Sequence, residues 1–181
     1  MAKLSAAAWV LHDVGLATAI GGTLFGREAL QPAIHEIKDP AVRGKVADIA
    51  WRRFSWMNLA GHVAVAATWF FGRSMLSGRE VSKTSRNLTL AKDALVIASL
   101  ATGITSMILG RVLGSRMTNH EQTATTSAAE QRPDERKLQR AVGAVGLANL
   151  AANIGVAGVT GVLSMEASES PKFSIVSRFL P

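Results

Sequence analysis

Four stretches of the chain are free, or nearly free, of ionised side chains. Residues 54–72, 94–110 and 141–165 contain no Asp, Glu, Lys or Arg, and residues 4–26 contain only Asp13. A helix needs ~20 apolar residues to cross a ~30 Å hydrocarbon layer, and each stretch is close to that length. A water-exposed amphipathic helix would carry a charged face opposite its apolar one, and none of the four does. The pattern predicts an all-α integral membrane four-helix bundle of two antiparallel transmembrane hairpins. It forms a single domain over residues 1–181, with spans at 6–27, 54–76, 91–114 and 138–165.

Inside these runs the non-apolar positions recur at helical spacing. In the first run Ala8, His12, Gly15, Ala19, Gly22 and Gly26 share one face, and all but His12 are small. In the second, Ser55, Asn58 and His62 form a polar stripe continued by Val65, Trp69 and Gly72. In the third, Ser99, Gly103, Ser106, Gly110 and Gly114 form a small-residue row. Small seams let helix backbones approach closely where lipid offers no hydrophobic drive for association, and polar stripes must turn inward to find partners.

The fourth run has two faces that avoid lipid. Ala144, Ala148, Ala151, Gly155 and Gly158 form a small seam. Asn149, Asn153 and Thr160 form a polar row ~200° away on a 3.6-residue helix. Such a helix is central in its bundle, or it bundles on one face and meets another subunit on the other. The helix-packing positions expected from the four runs are Gly15, Ala19, Gly22, Gly103, Gly110, Gly114, Ala151, Gly155 and Gly158. The intramembrane polar positions are Asp13, Asn58, Asn149 and Asn153.

The connections carry start and stop signals. Arg27 and Glu28 are expected to end the first helix, followed by a short turn or interfacial helix. Asp39-Pro40 reads as an N-cap with proline at the first helical position, so the second helix should begin well before its apolar run. Pro133 should start the last helix. The segment 115–135 is polar and rich in Thr, Ser and Ala, and reads as a disordered loop. Residues 171–181 alternate basic and apolar side chains and suit a membrane interface.

Composition sharpens this picture. Only 18% of the 181 residues are charged, against ~25% in soluble domains. The net charge of +7 comes from basic residues flanking the apolar runs, where they meet lipid headgroups, so a nucleic-acid partner is not expected. Trp9 and Trp69 fall at one expected interface, and Trp51 and Trp56 at the other, as in an aromatic belt. Basic residues favour the side reached by the end of the first helix as cytoplasmic. Lys3 alone is basic before the first run, so that run is expected to be retained as a span rather than cleaved. The chain has no cysteine, which excludes disulfides and thiolate metal sites.

Ionisable groups within a span are functional candidates by default. His12 and Asp13 lie about two turns into the first run, and His62 lies deeper in the second. As two axial haem ligands they would be mismatched in depth by ~9 Å at 1.5 Å per residue. His35 and His120 lie in connecting segments and should be solvated. The chain contains no GxSxG, Walker A or HExxH pattern, so an enzyme is not expected.

Leu11, His12, Gly15, Gly21, Gly22 and Phe25, followed by Leu30, Pro32 and Ala33, form the pattern LHxxGxxxxxGGxxF…LxPA. It resembles the first helix of the copper-resistance-D-like membrane proteins and their uncharacterised four-helix relatives. The resemblance covers about 25 of the 181 residues. It implies copper handling, with metal or haem ligation by intramembrane histidines. His12 is the residue that maps onto it. Two functional expectations result. The first is a non-catalytic scaffold or accessory subunit of a membrane complex in a bacterial cytoplasmic membrane, partnered by the lipid bilayer and by other subunits or a second copy. The alternative is a membrane protein that binds haem b or copper through His12 and His62.

Overall fold

The computed structural model describes residues 2–76, 83–123 and 133–169, with side chains at 6–39, 41–72, 86–112 and 137–165. The stretch 171–181, expected at an interface, lies outside the described residues, as do the surroundings of Gly114. The elements are α1 (Ala2–Phe25), a π-helical turn (Gly26–Leu30), α2 (Gln31–His35), α3 (Pro40–Leu76), α4 (Lys83–Thr123) and α5 (Pro133–Glu169). Among the described residues there is no strand.

The start signal at Asp39-Pro40 holds. Asp39 Oδ1 accepts from the backbone N–H of Ala41 at 2.9 Å and of Val42 at 3.3 Å, which satisfies two of the donors that a helix start leaves free. α5 is described from Pro133 onward. The expected stop at Arg27-Glu28 does not occur. The helix passes through a widened turn, in which the Gln31 N–H bonds the Gly26 carbonyl, and continues to His35. That turn directly precedes Pro32, whose ring would collide with the carbonyl four residues back in a regular helix. The polar segment 115–135 begins as helix, because α4 continues to Thr123. Residues 115–123 contain neither Gly nor Pro, so nothing in them halts propagation.

Sequential helices pack side by side: α1 on α3, α3 on α4, and α4 on α5, while a narrower α1–α5 contact closes the ring. The pairs run antiparallel. Gly15 meets Gly61 and Gly22 meets Phe54 across α1–α3. Trp69 meets Asp93, and His62 meets Gly103, across α3–α4. Ser99 meets Asn153, and Leu95 meets Gly155, across α4–α5.

The interior is layered, one helical turn per step. An apolar layer of Leu16, Val65, Val96 and Val156 lies across the bundle. One turn toward the N-terminal end of α1 stand His12, Thr68, Lys92 and Thr160, and one turn the other way stand His62, Ser99 and Asn153. Among the described residues, seven of the fifteen buried hydrophobic, polar and charged residues are polar or charged, whereas Val14, Trp56, Phe71, Ile97, Ile108 and Ile154 are exposed. The bundle thus buries polar side chains and exposes many large apolar ones.

Among the described residues, three helical segments are long and apolar enough to cross a membrane: Ala6–His35, Arg86–Val112 and Lys137–Met165. The expected fourth, in α3, is not among them, although α3 has 37 residues. Ser55, Asn58 and His62 lower its hydropathy, and of these His62 is buried within the bundle.

Candidate functional site: two polar layers inside the bundle

His62 is held on α3 with 2% of its surface exposed. Its Nδ1 stands 2.7 Å from the carbonyl oxygen of Asn58. A carbonyl only accepts, so Nδ1 carries the proton and Nε2 is the acceptor. The Asn149 amide nitrogen lies 2.9 Å from that Nε2 and donates to it. The same nitrogen is 2.8 Å from the Ser99 carbonyl and 2.9 Å from Thr102 Oγ1. Asn153 Nδ2 donates to the Asn149 carbonyl at 2.9 Å, and Ser99 Oγ donates to Asn153 Oδ1 at 2.7 Å. Three helices are thereby stitched together through one histidine and two asparagines. The polar row of α5 predicted from spacing faces inward, and the α3 stripe meets it at His62.

His12 belongs to the other polar layer and is 4% exposed. Its Nδ1 lies 3.0 Å from Thr68 Oγ1 on α3. Beside it, Lys92 of α4 is only 1% exposed, with Nζ 4.0 Å from the centre of the Trp69 ring. Trp69 Nε1 donates to Asp93 Oδ1 at 2.8 Å. Asp13 is exposed on α1 and interacts electrostatically with both Lys92 and His12. Lys92 lies just before the charge-free run 94–110, and the structure buries it inside the bundle. The signal was present, because Lys92, Val96, Ser99 and Gly103 share one face of α4 at helical spacing.

The two histidines do not face a common site. His12 bonds Thr68, and Thr68 is six residues from His62 on α3, a rise of ~9 Å, with Val65 of the apolar layer between them. His62 does not fit as a haem or copper ligand. Both ring nitrogens are engaged, and a Cβ placed on Gly103 would stand 3.1–3.2 Å from Cδ2, Nε2 and Cε1 of the ring, so α4 covers its edge. No group of three or more His, Asp or Glu side chains able to hold a metal occurs among the described residues.

The expected packing positions divide into two classes. Gly15, Gly22, Gly103 and Gly155 lie against another helix, and Ala19 is fully buried. Gly110 and Gly158 face open space, and Ala151 is exposed, so within this chain these three do not serve as helix contacts. Lone glycines or alanines on a helix show that a close approach is sterically possible, not that one occurs. Gly61, which was not among the expected packing positions, makes the tightest of the described glycine contacts with Gly15.

No protein-family model matches the chain, and neither a curated protein nor a solved structure matches it.

Proposed function

We propose that this chain is a non-catalytic integral membrane protein with four spans, α3 included, that serves as a scaffold or accessory subunit of a membrane complex. The inside-out composition supports the bilayer. His12, His62, Lys92, Asn149 and Asn153 are buried while many large apolar side chains, among them Val14, Trp56, Phe71 and Ile154, are exposed, an order that suits hydrocarbon rather than water outside. α3 then spans with its deepest polar group, His62, turned to the interior. The resemblance of the first helix supports a bacterial cytoplasmic membrane.

The observation that carries the subunit reading is the division of α5 into two faces. Asn149, Asn153 and Thr160 are buried in the bundle, while Ala144, Ala148, Ala151 and Gly158 on the opposite side are exposed. Small side chains gain little from lipid contact, and they permit a second helix to pack closely. The partner is another membrane subunit or a second copy of this chain. Both ring nitrogens of His62 are hydrogen-bonded, and Asn149 and Asn153 bond onward to α4, which suits a rigid support better than a reacting centre.

Mass measurement of the protein purified in mild detergent tests this. A complex or oligomer that dissociates in Ala151→Leu, with the isolated chain still folded, is the expected result. A strict monomer with no co-purifying partner overturns the subunit reading.

A further inference from the structure

His12 is fixed in one tautomer by its neighbour. Thr68 has a single hydroxyl hydrogen, and its Oγ1 lies 2.6 Å from the carbonyl oxygen of Ala64, one turn back on the same helix. A hydroxyl that donates there can only accept from His12, so the imidazole proton sits on Nδ1. Nε2 is then a bare lone pair. It is buried, and it has no hydrogen-bond partner.

The surroundings of that lone pair are defined among the described residues. α1 contributes Asp13 and the Trp9 ring, whose centre is 6.3 Å from the imidazole in an edge-on arrangement. α4 contributes Lys92, buried in the same layer as His12 with its Nζ over the ring of Trp69, the residue next to Thr68. Thr160, at the corresponding turn of α5, donates its hydroxyl to the Val156 carbonyl at 2.6 Å. On the other side the Leu16–Val65–Val96–Val156 layer shuts the site off from the His62 network.

We propose that His12 Nε2 and the Lys92 ammonium together form a binding site for a small protic ligand, a single water molecule. The complementarity is specific. The lone pair needs a donor, an ammonium only donates, and water supplies both a donor and an acceptor. A buried water requires two to four polar partners, and here two are present with opposite hydrogen-bonding needs. A metal ion at Nε2 would instead stand beside the positive charge of Lys92. The apolar layer confines the water to the end of the bundle where Asp13 is exposed, so it exchanges with that side only.

The test is NMR of the full chain, histidine-labelled with nitrogen-15, in lipid nanodiscs. Long-range imidazole correlations report the tautomer, and cross-relaxation with solvent reports bound water. The expected wild-type result is His12 protonated on Nδ1 and bare at Nε2, with a water contact at the ring. Thr68→Val should release the tautomer lock and give a mixture. Lys92→Met should keep the tautomer and lose the water contact. A wild-type His12 protonated on Nε2 overturns the proposal, and so does a bare Nε2 without water. A water contact that persists in Lys92→Met removes the lysine from the site. None of these outcomes depends on whether α5 docks a partner.

Discussion

Gly15 of α1 and Gly61 of α3 face each other so closely that a Cβ on either would stand 2.8 Å from the other's carbonyl oxygen. The obstruction is backbone, which cannot rotate away as a side chain can. The α1–α3 interface is therefore set by two hydrogens. Farther along the neighbours are side chains instead, with the Phe54 ring against Gly22 and the Trp51 ring against Gly26.

Alanine at Gly61 or Gly15 should force the helices apart. The expected cost is about 1–3 kcal/mol, the usual range for overpacking. Gly146→Ala, where a Cβ meets nothing within 4 Å, should be neutral or slightly stabilising through helix propensity. Thermal unfolding of the three variants in one detergent is the comparison. Similar melting temperatures for Gly61→Ala and Gly146→Ala would mean that the two glycines do not touch.

Asn149→Leu should cost about 1–3 kcal/mol, because His62 Nε2 and the Ser99 carbonyl lose a buried donor together. Membrane interiors soften such losses when the unfolded state finds other partners, so the lower half of that range is expected. Ser99→Ala removes only one hydroxyl donor from Asn153 and should cost less. Equilibrium unfolding of both variants ranks them, and a reversed order would contradict the central place of Asn149.

On α5, Gly155 and Gly143 separate contact from open space. A Cβ at Gly155 would lie 3.1 Å from both terminal methyl groups of Leu95, whereas one at Gly143 meets nothing within 4 Å. Gly155→Leu should lower stability by about 1–3 kcal/mol through overpacking, and Gly143→Leu should be tolerated. Gly155→Ala should be mild, because the Leu95 side chain can rotate away. Equal melting temperatures for the two leucine variants would place Gly155 outside the α4–α5 contact.

The cap at the start of α3 gives a local prediction. Asp39→Ala removes the acceptor for two backbone N–H groups and should cost about 1 kcal/mol. Asp39→Asn keeps an oxygen in place and should recover most of that. Amide hydrogen exchange at Ala41 and Val42 reads the effect directly, and unchanged exchange in Asp39→Ala would show that the cap contributes nothing.

Much of the architecture is legible in the chain itself. Long apolar runs specify helices because backbone polar groups have to be satisfied within the segment, and Asp39-Pro40 marks where α3 begins. The row Asn149, Asn153 and Thr160 is readable as an inward face because spacing places it on one side of a helix and polarity decides which side. Its separation from the small-residue seam is likewise a property of the sequence.

What only the tertiary structure decided is which face meets which. Periodicity defines a stripe but not the stripe that receives it. Gly15 finds Gly61, while Gly110 and Gly158 face open space, although all are equally small. Lys92 sits at the edge of a charge-free run, and nothing in the sequence says that Trp69 of α3 and Asp13 of α1 will stand beside its buried charge. His12 and His62 look like a pair in the sequence. The antiparallel register of α1 and α3 sets His12 against Thr68 and leaves a full apolar layer between the two rings. That register follows from the closest backbone crossing at Gly15 and Gly61, a contact that only the packed helices define.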